Sequence, residues 1–143
     1  MEHLAIMKKS WGLTDKILDG RKKIESRWYR VKCKPWDNIQ AGDIVYFKDS
    51  GELIRLKAEV EAVKQYAGLT PDKVKEILDE YGEADGLEED DLPGYFKKFK
   101  DKKYCILIFL KNPEALEPFD INKKGFGAMA AWITTDNIIK IRK

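Results

Sequence analysis

The feature that most limits the fold is the run Tyr104–Leu110, YCILIFL. Seven consecutive apolar or aromatic side chains leave no polar face for water, so the run reads as a short buried strand. It is far below the roughly 18 residues that would cross a bilayer. Covering such a strand takes other elements, and 143 residues suffice for one domain, residues 1–143, with one sizeable core. Apolar residues make up 43% and recur along the whole chain, which excludes disorder.

The rest of the pattern supplies that cover. HLAIMK alternates as a first strand with Leu4 and Ile6 inward. Thr14 is placed to N-cap a short helix, DKILD, and Gly20 stands at its C′ position. KIESRWYRVK reads as a strand, with Ile24, Ser26, Trp28 and Arg30 on one face and Glu25, Arg27, Tyr29 and Val31 on the other. After the loop KPWDNIQAGD come two strands joined by a Ser50-Gly51 turn. The second, Leu53 to Tyr66, is long enough to require a bend or bulge. LTPDKVKEILDEYG carries the clearest helix: Thr70 as N-cap, Pro71 at N1, and Val74, Ile77, Leu78 and Tyr81 on one stripe. An acidic loop, EADGLEEDDL, and a short helix, PGYFKKFK, precede the buried strand. A loop beginning NPEALEPF and one or two strands ending at IIKIR follow it. The expected class is mainly β with inserted helices (α+β): a small, closed or nearly closed β-barrel under short helical covers.

Charge is unevenly distributed. Residues 1–34 carry ten basic and four acidic groups, whereas residues 72–91 carry ten acids against Lys73 and Lys75. Residues 93–111 are basic again, with six lysines and only Asp101 opposing. Several chemistries are disfavoured. His3 is the one histidine, and Cys33 and Cys105 form no CxxC, which speaks against a zinc site. A nucleophile–histidine triad would have to use His3. No cofactor, metal or membrane partner is implied. MEHLAIMKKS holds no sustained apolar h-region, so a soluble cytoplasmic protein is expected. Abundant Lys and Glu beside only two Gln point toward a thermophilic source.

The stretch GRKKIESRWY concentrates the candidate chemistry. Arg21, Lys22 and Lys23 stand beside the carbonyl end of the first helix, where cations offset the helix dipole. Glu25 and Arg27 share a strand face, either as a surface ion pair worth at most about 1 kcal/mol or as the floor of a charged cleft. In the cleft reading Lys22 and Arg27 hold a phosphate or base carbonyl, and Glu25 accepts from the amino group of a base. Trp11, Tyr29, Trp36 and Trp132 offer faces for stacking, though aromatic side chains most often serve as core or rim.

GRKKIESRWY followed by PWDNIQAGDIVYF resembles the ASCH domain of the PUA-like superfamily. That family carries G-x-K-x-x-E-x-R, matched here by Gly20, Lys22, Glu25 and Arg27, then a Pro-Trp and a Gly-Asp turn, matched by Pro35-Trp36 and Gly42-Asp43. The resemblance implies a β-barrel whose cleft binds RNA or modified nucleosides, lined by Lys22, Glu25 and Arg27; Trp132 or Tyr29 is the expected stacking wall. A looser match to the cleft wall of the related EVE and YTH groups adds Phe126 and Trp132. An alternative is a small amidohydrolase acting on an acetylated cytidine-type nucleoside, with Lys22 and Glu25 catalytic. There Glu25 occupies the place of the family's Thr, Lys22 needs a lowered pKa, and Glu59 or Glu61 supplies a distant carboxylate. A third reading, docking of a basic protein partner through residues 83–91, competes with a plain solvated loop.

Overall fold

The computed structural model describes residues 1–127 and 130–143. Six strands form one curled half-barrel sheet: β1 (Glu2–Met7), β2 (Ile24–Tyr29), β3 (Ile44–Asp49), β4 (Ile54–Tyr66), β5 (Tyr104–Phe119) and β6 (Trp132–Thr135). Their order is β2-β5-β4-β3-β1-β6, with β1 and β3 parallel and every other neighbouring pair antiparallel. The curl therefore does not close by strand pairing, and β2 and β6 are its free edges. The α-helices among the described residues are α1 (Leu13–Leu18), α2 (Pro71–Tyr81) and α3 (Leu92–Phe99).

The unbroken apolar run has a direct cause. Ile106 and Ile108 point into the curl, against Ala5, Val45, Phe47 and Leu56. Cys105 and Leu107 point outward, under Val74, Ile77 and Leu78 of α2 and Phe99 of α3. Both faces of this part of β5 are covered, so neither alternates with polar residues. β4 carries three register shifts against β5, the bulging expected of so long a strand. Thr70 caps α2 by accepting from Lys73 N–H at 3.2 Å, with Pro71 in the first turn.

Three expectations change. β5 runs on through NPEALEPF, where a loop is expected. Beyond Phe109 its pairing is with β4 alone, and an edge tolerates Pro113 and Pro118 because no ladder hydrogen bond is required on the open side. Residues 138–141 form a 3-10 turn rather than a last strand. Thr14 does not cap α1. Gly12, at φ +62°, occupies that position, and the buried Thr14 hydroxyl instead reaches the Asp49 carboxylate at 3.1 Å. Tying α1 to β3 in the interior outweighs a solvent-side cap. No helix among the described residues is long and apolar enough to cross a membrane.

Candidate functional site

β2 positions the site because it lies at the sheet edge. It pairs with β5 from Ile24–Phe109 to Tyr29–Tyr104, and Leu110 N–H donates to Lys23 C=O. In an antiparallel ladder this parity turns the backbone groups of odd-numbered residues toward β5 and those of Ser26 and Trp28 toward the free edge. At Ile24 that edge is already occupied. Its N–H donates to Ala84 C=O at 3.0 Å, and its C=O accepts from Lys22 Nζ at 2.7 Å. Past that block a cleft of about 180 Å3 opens between β2 and the end of β1.

The cleft has two unlike walls. One is aromatic: Trp28 lies flat on Phe99 (4.9 Å between ring centres, 5° apart), Phe99 on Tyr95 (6.1 Å, 23°), and Tyr95 meets Trp11 edge to face (5.6 Å, 84°). The other is polar and built on Glu25 and Arg27, with Met7 beside them. Arg27 donates to Glu25 Oε2 at 3.1 Å and to Ile6 C=O at 3.4 Å, spanning the gap in the half-barrel. Its guanidinium also lies 5.1 Å from the centre of the Trp132 ring. Tyr29 closes the far end, its hydroxyl donating to Lys34 C=O, and burial pushes its pKa up to about 12.

Beneath this floor is a buried charge cluster. Lys22 is 2% exposed, and all three ammonium protons have acceptors: Ile24 C=O at 2.7 Å, Asp85 C=O at 2.7 Å and Asp85 Oδ1 at 2.5 Å. Glu25 Oε1 is 3.4 Å away. The second Asp85 oxygen accepts from the Ser26 hydroxyl, which accepts in turn from Trp28 Nε1–H at 3.0 Å. Lys22, Arg27, Glu25 and Asp85 thus form two cations and two anions of opposed charge, the arrangement that buried charges require. Burial by itself lowers the Lys22 pKa, but the Asp85 and Glu25 carboxylates more than reverse this, and the amine titrates above the ordinary lysine range. Burial pushes Asp85 upward, with Lys22 and Ser26 opposing. Gly86 permits the approach: its φ is +82°, and a Cβ there would lie 3.1–3.3 Å from the Lys22 side chain.

Of the expected site residues, Glu25, Arg27 and Tyr29 come together on the cleft. Lys22 does not reach it; its ammonium is sealed below and has no proton free for a phosphate. The amidohydrolase arrangement is also corrected. Its amine is raised rather than lowered in pKa, and its carboxylate partner is Asp85 rather than the exposed Glu61 or the partly exposed Glu59. Asp85 comes from the acidic segment read as a solvated or docking loop; Lys16 pins the same segment through Gly86 C=O and Glu88. Trp132 is buried in the main core and Phe126 packs with Leu4 and Ile133, so neither lines the cleft. Trp28, Tyr95 and Phe99 were missed as a wall. The aromatic spacing of α3 was legible, but its neighbour across 70 residues of sequence was not. Among the described residues no cluster of His, Cys, Asp and Glu could hold a metal ion.

No family model matches the chain, and no curated protein matches it. Solved structures do. A crystal structure of ASCH from Zymomonas mobilis aligns over 99% of this chain and 96% of that one, at 14% identity and a TM-score of 0.68. The hypothetical protein PH0355 aligns over 81% of this chain and all 100% of that one (24% identity, TM-score 0.53). The N-terminal domain of McrB from Staphylothermus marinus covers 83% and 76% (12% identity, TM-score 0.53). The chain has the ASCH fold.

Proposed function

We propose that this ASCH-fold chain is a nucleic-acid-binding module that takes one base, of RNA or of a modified nucleoside, into the cleft beside β2. The observation that carries the reading is the pairing of the two walls. A planar ring entering the cleft meets the Trp28–Phe99–Tyr95 stack on one side and Glu25 with Arg27 on the other. Rings stack on aromatic faces with about 1–3 kcal/mol per base. Glu25 accepts from an exocyclic amino group, and Arg27 donates to a ring carbonyl or nitrogen. The strand edge adds backbone donors and acceptors at Ser26 and Trp28, fixed in place by the ladder behind them. Size supports a single ring system. At about 180 Å3 the cleft is smaller than the 300 Å3 or so of a drug-sized site.

Amide NMR of labelled protein, titrated with short single-stranded RNA and with nucleosides including cytidine and acetylated cytidine, tests the proposal. The expected result is shifts confined to residues 6–13, 25–29, 85–87 and 91–99, which line the cleft and its mouth. Arg27→Gln should weaken binding at least about tenfold, the scale of one lost charge-assisted hydrogen bond. Shifts elsewhere, or none with any of these ligands, would remove the cleft from consideration.

A further inference from the structure

We infer that the ligand is a single-stranded nucleic acid rather than a free nucleoside, with the adjoining nucleotide held in a second groove beside Trp11. The inference rests on the base-binding reading of the cleft and extends it. The cleft takes one ring system, so a sugar and phosphate must lie outside its mouth. A groove of about 420 Å3 between the turn after β1 and helix α3 borders the cleft, with Trp11 and Tyr95 lining both. The two spaces thus adjoin across an aromatic pair.

The charge of that groove is what a phosphodiester needs. Lys98 Nζ stands 4.3 Å, and Lys8 Nζ 5.5 Å, from the centre of the Trp11 ring. Among the described residues neither ammonium takes part in an ion pair, and each lies against the ring. Lys102 is close enough to act on Lys98: burial, Lys8 and Lys102 together lower the Lys98 pKa. Asp91 is the one carboxylate on the groove wall. An excess of cations around an indole face suits a backbone phosphate on the amines and the next base on the ring. A free nucleoside brings no phosphate and leaves this groove unused. A phosphate that draws Lys98 off the indole would free the face for stacking, so the lysine holds the place that the second nucleotide takes.

The test is calorimetry at low salt with uridine, cytidine and adenosine, the hexamers U6, C6 and A6, and hexaglutamate. The variants are Lys98→Glu, Lys98→Glu with Lys102→Glu, and Arg27→Gln. The expected result is a hexamer bound at least about tenfold more tightly than its nucleoside. Lys98→Glu/Lys102→Glu should lower hexamer affinity at least about tenfold and leave nucleoside affinity within about twofold. Lys98→Glu alone should flatten the dependence of log K on log salt by about 0.7, for the one phosphate contact it removes. Unchanged hexamer affinity in the double variant, with nucleosides still bound, overturns the groove and leaves the cleft standing. Hexaglutamate binding as tightly as RNA, with the same loss in the variant, means that the groove reads charge alone and overturns the inference. Absence of all binding in the parent protein would fail the cleft reading itself, and the groove with it.

Discussion

Two of the polar clusters buried in this half-barrel meet the demands of burial in opposite ways. Lys22, Glu25, Asp85 and Arg27 are all charged side chains, and the cluster ends in a cleft. His3 and Asp43, near the other sheet edge, form a closed network. The Trp132 indole N–H, which can only donate, reaches His3 Nδ1 at 3.2 Å, so Nδ1 accepts and Nε2–H donates to Asp43 at 2.8 Å. The ring is neutral in that arrangement, and burial lowers its pKa. Arg27 touches both clusters, paired with Glu25 on one side and lying over Trp132 on the other. A cluster with every valence closed is a structural fastening. A cluster that keeps one carboxylate and one guanidinium on a cleft has something left to offer a ligand.

Breaking the charged cluster should cost the most. Lys22→Met leaves Asp85 without a cation in the interior and Glu25 with Arg27 alone, and should remove about 3–5 kcal/mol of stability, read from urea unfolding. Adding Asp85→Asn should recover part of that loss, because the stranded buried charge goes with it. A loss below about 1 kcal/mol for Lys22→Met would mean that water reaches the cluster.

The histidine cluster should fail more gently and in acid. His3 folds with a pKa below its ordinary 6.5, so below that pH the unfolded chain binds a proton that the native state refuses. Its contribution is constant above pH 6.5 and is lost as pH falls, at up to about 1.4 kcal/mol per pH unit for one proton. His3→Asn should flatten the thermal stability profile between about pH 5 and 6.5. The charged cluster behaves the other way: the raised Lys22 pKa contributes stability below its ordinary value of 10.5, which is lost as pH rises through the folded value. A parent profile flat from pH 5 to 6.5 would argue against a neutral buried His3.

The smallest effect sharpens the boundary between cluster and cleft. Ser26→Ala deletes a hydroxyl that joins Trp28 to Asp85 and should cost about 1–2 kcal/mol. It should leave ligand affinity within about threefold if the side chain only holds the wall in place. A larger loss of affinity, at unchanged stability, would put the Ser26 hydroxyl on the ligand.

Much of the fold was legible because it rests on local physics. The stripe and cap of α2, the Ser50-Gly51 turn, the bulged length of β4 and the buried run of β5 each follow from side chains close together in sequence. The continuation of β5 was not legible, since Pro113 and Pro118 break a strand unless one side of it is open, and openness belongs to the sheet. The site divides along the same line. Alternation on β2 placed Glu25, Arg27 and Tyr29 on a common face. It could not show that Lys22 turns inward, because its acceptors include Asp85, 63 positions away.

The sequence by itself determined the element order, the polarity of the β2 faces and the concentration of charge. Which charges reach solvent was a matter for tertiary structure alone. Desolvating an ammonium is tolerable only where carboxylates and carbonyls converge on it. That convergence depends on where the acidic segment after α2 returns to the sheet edge, and no spacing along the chain encodes it.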